Sequence, residues 1–281
     1  PAENYPFCTI EPHMGIVPLP DPRLKVLEKI YEPEKVTPAN VEFTDIAGLV
    51  KGASKGEGLG NQFLGQIRQV DSIIHVVRCF EDENISHVEE SIDPIRDVEL
   101  IETELLLADL VTIEKSIIRL DKLSRSDKKI SANLELVKKL KIFCDKGNPA
   151  RNFSCNNSEL DFIKSMFLLT SKPIMYIANI NEDELVSDSI GKFSNLLFTK
   201  FKDEETEVIE LCGKVEQEIS TLNKNEQLEF LAEYNLDEPG LNILIRKAFN
   251  LLNLETYFTG GESEVRAWTI KKGSSAPQAA S

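Results

Sequence analysis

Three short segments of the chain combine residue types that suit a nucleotide ligand. Asp45-Ile-Ala-Gly48 offers a carboxylate that can hold Mg²⁺ through water and a glycine amide that can approach a phosphate unhindered by a Cβ atom. Asn179-Ile-Asn-Glu182 offers a carboxamide for the edge of a purine and the Ile180 side chain for a ring face. Cys212-Gly-Lys214 offers backbone amides to the same base. Each segment alone also fits a surface turn, so the hypothesis depends on their order and position.

A parallel sheet is the element that would position these segments, because ligands bind beyond the carboxyl ends of its strands. Residues 41–45 alternate apolar and polar side chains, Pro173–Ala178 is an apolar run of strand length, and Glu207–Leu211 is a strand-length segment rich in β-branched and apolar residues. Helical patterns follow at 215–223 and 240–252. This alternation predicts an α/β fold with a doubly wound, mostly parallel sheet covered by helices on both faces.

A run of glycines follows the first of the three segments. Five glycines fall within thirteen residues, at positions 48, 52, 56, 58 and 60. Such a run indicates a loop with unusual backbone angles or a close approach to a ligand.

A long helical pattern occupies the middle of the chain. From Val98 to Leu123 there is no Gly or Pro, and apolar residues step by 4, 3, 4 and 3. The step recurs from Ile130 to Val137, and residues 160–169 are compatible with a third helix. We predict an inserted antiparallel helical hairpin at 98–169, with ordinary helices of one core as the alternative. The apolar residues that recur at this spacing in the first helix form a seam, and they are Leu106, Leu110, Ile113, Ile117 and Leu120.

Composition limits the class of protein. The five cysteines never occur in C-x-x-C spacing, which argues against a disulfide framework and a zinc site and favours a reducing, cytoplasmic compartment. No run approaches the roughly 18 apolar residues of a membrane span. The formal net charge of −15 opposes non-specific binding to nucleic acid, so we expect no direct DNA binding.

Longer stretches carry a resemblance to a known family. The stretches are Tyr5–Pro12, Pro18–Arg23, the glycine-rich block Asp45–Phe63, Ala178–Glu182, Leu252–Phe258 and Val265–Ile270. Together they resemble the YchF family of Obg-related P-loop NTPases, and the glycine-rich block is the most specific of them. The resemblance covers essentially the whole chain and is weakest between about Leu123 and Leu160.

The resemblance implies a cytoplasmic, Mg²⁺-dependent ATPase that associates with the ribosome, both the 70S particle and its large subunit. It implies a GTPase-like domain at 1–97 and 170–254, a helical coiled-coil hairpin at 98–169 and the start of a β-rich TGS domain at 255–281. Two alternatives remain open. One is a GTPase of the Obg type, and the other is a non-catalytic binding module for which the nucleotide serves as a conformational latch.

The resemblance also implies roles for individual residues. Thr9 lies beside Mg²⁺, and Asp45 and Gly48 contact the metal and the γ-phosphate. The segment Asn179–Glu182 occupies the base-reading box, where ordinary GTPases have N-K-x-D. Glu182 in place of the aspartate, together with Ile180 in place of the lysine, is the family's basis for preferring ATP.

A histidine is the candidate catalytic residue. Leu49 follows Gly48, at the position where many GTPases place a glutamine that orients the attacking water. Leucine has no polar group for that role. The resemblance implies that His87 replaces it, because an imidazole can orient water or stabilise charge. A surface-loop histidine is the alternative.

The motif G-x-x-x-x-G-K-[ST] occurs nowhere in the sequence. Micromolar affinity for a trinucleotide amounts to about 8 kcal/mol. The phosphate loop supplies four or more charge-assisted hydrogen bonds, at roughly 1.5 to 3 kcal/mol each. Compared with the family pattern, the chain lacks the phosphate loop, and we therefore expect it to bind ATP weakly and to be inactive. It also lacks the strand before that loop, which would lie centrally in the sheet. We expect the chain to fold marginally, because unpaired strand edges remain.

Overall fold

A computed structural model describes residues 13–46, 59–82, 91–124, 127–187, 189–204 and 206–279. The chain divides into two compact units. The helical unit comprises the described residues within 46–73 and 95–173, and the sheet unit comprises those within 13–45, 74–94 and 174–281. The domain boundaries that the sequence predicts remain predictions.

Helices and strands alternate along most of the described chain. In chain order they are β1 (His13–Pro18), α1 (Pro22–Tyr31), β2 (Lys35–Thr37), β3 (Asn40–Asp45), α2 (Leu59–Gln69), β4 (Ile73–Arg78), α3 (Pro94–Leu123), α4 (Lys128–Cys144), α5 (Asn157–Lys164), β5 (Ile174–Asn179), α6 (Glu182–Leu185), α7 (Lys192–Phe201), β6 (Val208–Leu211), α8 (Gly213–Thr221), α9 (Lys224–Glu233), α10 (Gly240–Leu251), β7 (Leu254–Gly260), β8 (Glu264–Lys271) and α11 (Ala276–Ala279). Among the described residues, no helix combines the length and apolar character needed to cross a membrane.

The described strands form three small sheets. The order β4-β5-β6 makes one sheet, in which β5 runs parallel to β6. Strands β1 and β3 form an antiparallel pair, and β2-β8-β7 is a mixed sheet. The parallel sheet therefore contains the strands that precede two of the three predicted ligand segments.

The position of β3 differs from the prediction. Its alternating residues suggested a strand of the same parallel sheet, but it pairs with β1 from His13 opposite Asp45 to Pro18 opposite Asn40. Alternation is typical of an antiparallel strand with one solvated face, whereas strands of a covered parallel sheet are apolar on both faces, so the pattern fits the observed pairing better than the predicted one. The buried face is as expected, since Val41 is only 5% exposed.

Helices α1 and α10 pack with β3 and β8 around one apolar core of the sheet unit. Helix α1 begins with Pro22 at its first turn, and the Asp21 side chain caps it by accepting from the Arg23 N–H at 3.0 Å. The Arg23 guanidinium also donates to Thr256 Oγ1 on β7 at 2.7 Å. The buried residues of this core are Leu19, Leu24, Ala39, Val41, Ile245, Phe249, Val265 and Ala267.

In the helical unit, α3 and α4 bury the predicted apolar seam. Helix α3 begins at Pro94, earlier than the pattern suggested, because proline is favoured in the first turn of a helix. Lys141 on α4 forms an ion pair with Glu114 on α3 at 3.3 Å. The buried residues of the cluster are Leu106, Ile113, Leu120, Leu134, Leu136, Val137, Leu140, Cys144, Ala150, Ile163 and Leu168.

The third predicted helix is shorter than the pattern suggested. It spans Asn157–Lys164, and Asn156 and Glu159 form a reciprocal capping box at its start. The chain then turns through Phe167, whose φ of 53° is left-handed and incompatible with continuing the helix. The next backbone N–H groups are therefore available to partners outside a helix.

A buried carboxylate on α3 accepts those N–H groups. Asp109 is fully buried, and its oxygens accept from the N–H of Leu169, the N–H of Thr170 and the Thr170 hydroxyl, each at 2.7 Å. Thr170 Oγ1 in turn accepts from the Ala150 N–H at 3.0 Å. Burial raises the pKa of Asp109, and the hydrogen bonds from Thr170 and Leu169 oppose that rise.

The substitution Asp109→Ala is expected to lower the free energy of unfolding by about 3 kcal/mol, because three buried donors lose their acceptor. Urea unfolding followed by circular dichroism measures the loss. Asp121→Asn is the matched control, since Asp121 lies exposed on the same helix. Equal stability of the Asp109 variant and the control would contradict the structural role of this carboxylate.

Candidate functional site

The parallel sheet brings the ends of its strands together. Strand β5 is buried along almost its whole length and ends at Asn179. The Asn179 carbonyl accepts from the N–H of Cys79, just after β4, at 2.8 Å. The Ile180 N–H donates to the carbonyl of Leu211, the last residue of β6, at 3.1 Å. The segments that follow β5 and β6 are thus fixed next to each other.

A side-chain hydrogen bond joins these two segments. Asn179 Oδ1 accepts from the backbone N–H of Gly213, the first residue of α8, at 3.0 Å. A Cβ atom at Gly213 would lie 3.4 Å from that oxygen, so the carboxamide packs closely over the start of the helix. With its oxygen engaged, the carboxamide retains its NH₂ group as a donor for a ligand.

An ion pair makes a second link between the segments. Glu182, the first residue of α6, contacts Lys214 Nζ through Oε1 at 2.6 Å. The Glu182 side chain is 34% exposed and that of Lys214 is 69% exposed, so both remain open to solvent. The hydrogen bond and the charge of Glu182 raise the pKa of Lys214, which keeps the ammonium group charged.

Two of the predicted residues are largely buried. Ile180 is 3% exposed, so little of its side chain is open to a ligand. Cys212 is also 3% exposed, and burial raises the pKa of its thiol, which keeps it protonated and unreactive. Both residues therefore contribute mainly backbone groups and packing to this region.

The remaining predicted residues concern the phosphates and the metal. Asp45 is exposed at the end of β3, and its carboxylate suits Mg²⁺ held through water. Thr9, Gly48 and His87 lie outside the described residues. Among the residues that the structure describes, no group of three or more His, Cys, Asp or Glu side chains forms a metal site.

Two residues near the paired segments were missed by the sequence analysis. Glu216 on α8 accepts from the N–H groups of Gly240 and Leu241 at 2.7 and 3.0 Å, and so caps α10 in place of a side chain at Pro239. Tyr234 stacks on Phe230, with 4.8 Å between the ring centroids. Burial, and secondly the negative charge of Glu182, raise the pKa of the Tyr234 phenol. The i, i+4 spacing of the two aromatic residues was the available signal.

Comparisons with known proteins identify the relatives of this chain. The family model described as "50S ribosome-binding GTPase" matches residues 1–115, and the model YchF-GTPase_C, described as a protein of unknown function, matches residues 254–281. "Ribosome-binding ATPase YchF" of Bacillus subtilis strain 168 is 50% identical over 280 residues, which cover 99% of this chain and 76% of that protein. Its namesake in Haemophilus influenzae strain Rd is 48% identical with the same coverage.

A solved structure extends the comparison. The structure of the Schizosaccharomyces pombe YchF GTPase matches with a TM-score of 0.85 and 36% sequence identity, covering 99% of this chain and 75% of that one. The fold and the sequence comparisons together define an α/β nucleotide-binding protein of the P-loop GTPase class. More narrowly, the chain belongs to the YchF family. The predicted α/β, GTPase-like fold class is confirmed, and the TGS assignment remains a prediction.

Immediately after the Asn179–Glu182 segment, one carboxylate lies in an unfavourable environment. Burial and the charge of Glu210 both raise the pKa of Glu184. Its carboxyl group lies 2.8 to 2.9 Å from where a Cβ atom at Gly191 would stand, and its Oε2 has no hydrogen-bond partner among the described residues. The charged form of Glu184 therefore destabilises the folded state relative to the unfolded one.

This environment predicts a pH dependence of stability. Because the folded pKa is raised, the unfolded state loses its proton first, and stability falls as pH rises from about 4.3, the usual value for Glu, through the raised pKa. Glu184→Gln should remove this fall and be more stable than the parent at pH 7. Urea unfolding across about pH 4 to 8 measures it. Asp183→Asn, on the same short helix and exposed, should leave the profile unchanged.

Proposed function

We propose that this chain forms the nucleotide-hydrolysing part of a cytoplasmic, Mg²⁺-dependent ATPase that associates with the ribosome. The observation that carries the proposal is the junction of the β5 and β6 ends, where Asn179 binds Gly213 and Glu182 binds Lys214. Backbone amides, a carboxamide and a charged pair, all at the carboxyl edge of parallel strands, suit a purine base. The relatives named as ribosome-binding ATPases support the same activity.

The phosphates and the metal would be held by residues at the end of β3 and in the segment before β1. Asp45 and Thr9 supply oxygen atoms for Mg²⁺, and the Gly48 amide approaches the γ-phosphate. A bound Mg²⁺ would offset the negative charge of the phosphates. The exposed Asp45 carboxylate supports this assignment because it is open to a solvated ion.

His87 is the residue that we propose to orient the attacking water. Leu49 has no polar group, so the position after Gly48 cannot perform this role. An imidazole within hydrogen-bond reach of water can align it with the γ-phosphate and accept its proton. His87 would act on water and not on the base or the metal, so its loss should affect turnover more than binding.

Hydrolysis tests the proposal. The sequence has no G-x-x-x-x-G-K-[ST] motif, so turnover is measured on the chain as it stands and on the chain extended at Pro1 by a segment that carries this phosphate-loop motif. We expect weak binding and no turnover by the first, and Mg²⁺-dependent ATP turnover by the second. In the extended chain, Asp45→Ala and Thr9→Ala should each lower turnover at least about 100-fold.

The controls separate the alternatives. Glu42→Gln, at another carboxylate of β3, should leave turnover unchanged, and His87→Ala should lower turnover while ATP still binds. If His87→Ala binds ATP normally and the parent itself does not hydrolyse it, the non-catalytic binding module is the better account. The words "50S ribosome-binding GTPase" and "YchF GTPase" favour GTP as the second candidate substrate, which competition between ATP and GTP decides.

Association with the large ribosomal subunit is tested by co-sedimentation. The extended chain should pellet with 70S particles and with large subunits, and much less with small subunits. The net charge of −15 opposes contact through the surface as a whole, so binding should depend on a local basic surface and fall as salt rises. Equal pelleting with both subunits, or none, would contradict the proposed partner.

A further inference from the structure

The ion pair between Glu182 and Lys214 joins a base-reading residue to a residue of another helix. Lys214 Nζ lies 2.6 Å from Glu182 Oε1, and no other cation is paired with Glu182 among the described ion pairs. Lys214 is the second residue of α8, whose first residue, Gly213, is held by Asn179. The start of α8 is therefore fixed in position, and the lysine is presented to the carboxylate from a defined site.

The NH₂ donor of Asn179 does not by itself distinguish the two purines. The Gly213 N–H occupies one lone pair of the Asn179 oxygen, and the NH₂ group stays available to a ligand. Adenine and guanine both present N7 as an acceptor, so a single donor binds either. Discrimination therefore needs a further group, and Glu182 is the charged group that follows in the same segment.

A free carboxylate in that position would favour guanine. Guanine carries adjacent N–H donors at N1 and N2, which match the two acceptor oxygens of an ionised carboxylate. Adenine has an acceptor at N1, which a carboxylate repels, and only the N6 amino group as a donor. Whether Glu182 reads guanine therefore depends on whether both of its oxygens and its full charge are available.

We propose that Lys214 is a specificity-determining positioning residue, which disfavours guanine by engaging Glu182 in an ion pair. The inference rests on the proposed function, because it assumes that the Asn179–Glu182 segment reads the base. With Oε1 held by the ammonium group and its charge offset, Glu182 is a weaker two-oxygen acceptor for guanine, and its repulsion of adenine N1 is reduced. Lys214 acts through Glu182 and need not touch the nucleotide.

The test compares the affinities of ATP and GTP for the phosphate-loop-extended chain, measured by calorimetry with Mg²⁺. Lys214→Met keeps most of the length of the unbranched side chain and removes its charge. It should shift the ratio of ATP to GTP affinity towards GTP by about tenfold, the value of one charge-assisted hydrogen bond. Lys224→Met, at an exposed lysine of α9, is the matched control and should leave the ratio unchanged.

A second variant separates specificity from a structural role. In the double variant Lys214→Met, Glu182→Gln, the amide cannot offer two acceptors, so the gain in GTP affinity should disappear. The inference is overturned if Lys214→Met leaves the ratio of ATP to GTP affinity unchanged, or if the double variant gains as much GTP affinity as the single one. In either case, ATP binding by the extended parent leaves the proposed function standing. If the extended parent binds neither nucleotide, the proposed function fails and the inference fails with it.

Discussion

The parallel alignment of β5 with β6 is the constraint on which the candidate site depends. Parallel strands end at the same edge of a sheet, so residues far apart in sequence become neighbours there. The backbone hydrogen bond from Ile180 to Leu211 sets this alignment, and the Asn179 side chain then reaches the start of α8. A shift of one strand by a single residue would turn Asn179 to the opposite face and break that contact.

The sequence predicted elements correctly where their apolar residues are the ones that the fold buries. Strands β5 and β6 were predicted because apolar runs of strand length precede polar segments, and those segments meet as expected. The seam of α3 was predicted from its spacing and is buried, with Ile113 fully inaccessible. In both cases the spacing of the apolar residues could be read from the sequence because those residues pack in the core and stabilise the element.

Pairing partners and long-range polar contacts were not predictable. The alternation in β3 favours an antiparallel sheet but does not identify the partner strand, so its pairing with β1 could not be inferred. The helices α7 and α9 and the strand β7 were missed. For α7 the signal was present, since its apolar residues Phe193, Leu196, Leu197 and Phe201 recur at helical spacing. The Glu182–Lys214 ion pair depends on the relative position of two helices, which no local pattern encodes.

The buried carboxylate of α3 also decides how the helical unit aligns. Leu106, Ile113 and Leu120 recur every seven residues, so an apolar seam alone is satisfied almost equally well after a slip of one heptad, about 10 Å along the helix. Asp109 occurs once, and its donors are confined to Leu169 and Thr170. A slipped helix would bury the Asp109 carboxyl group without hydrogen-bond donors, so this residue favours one alignment of α3 over the others.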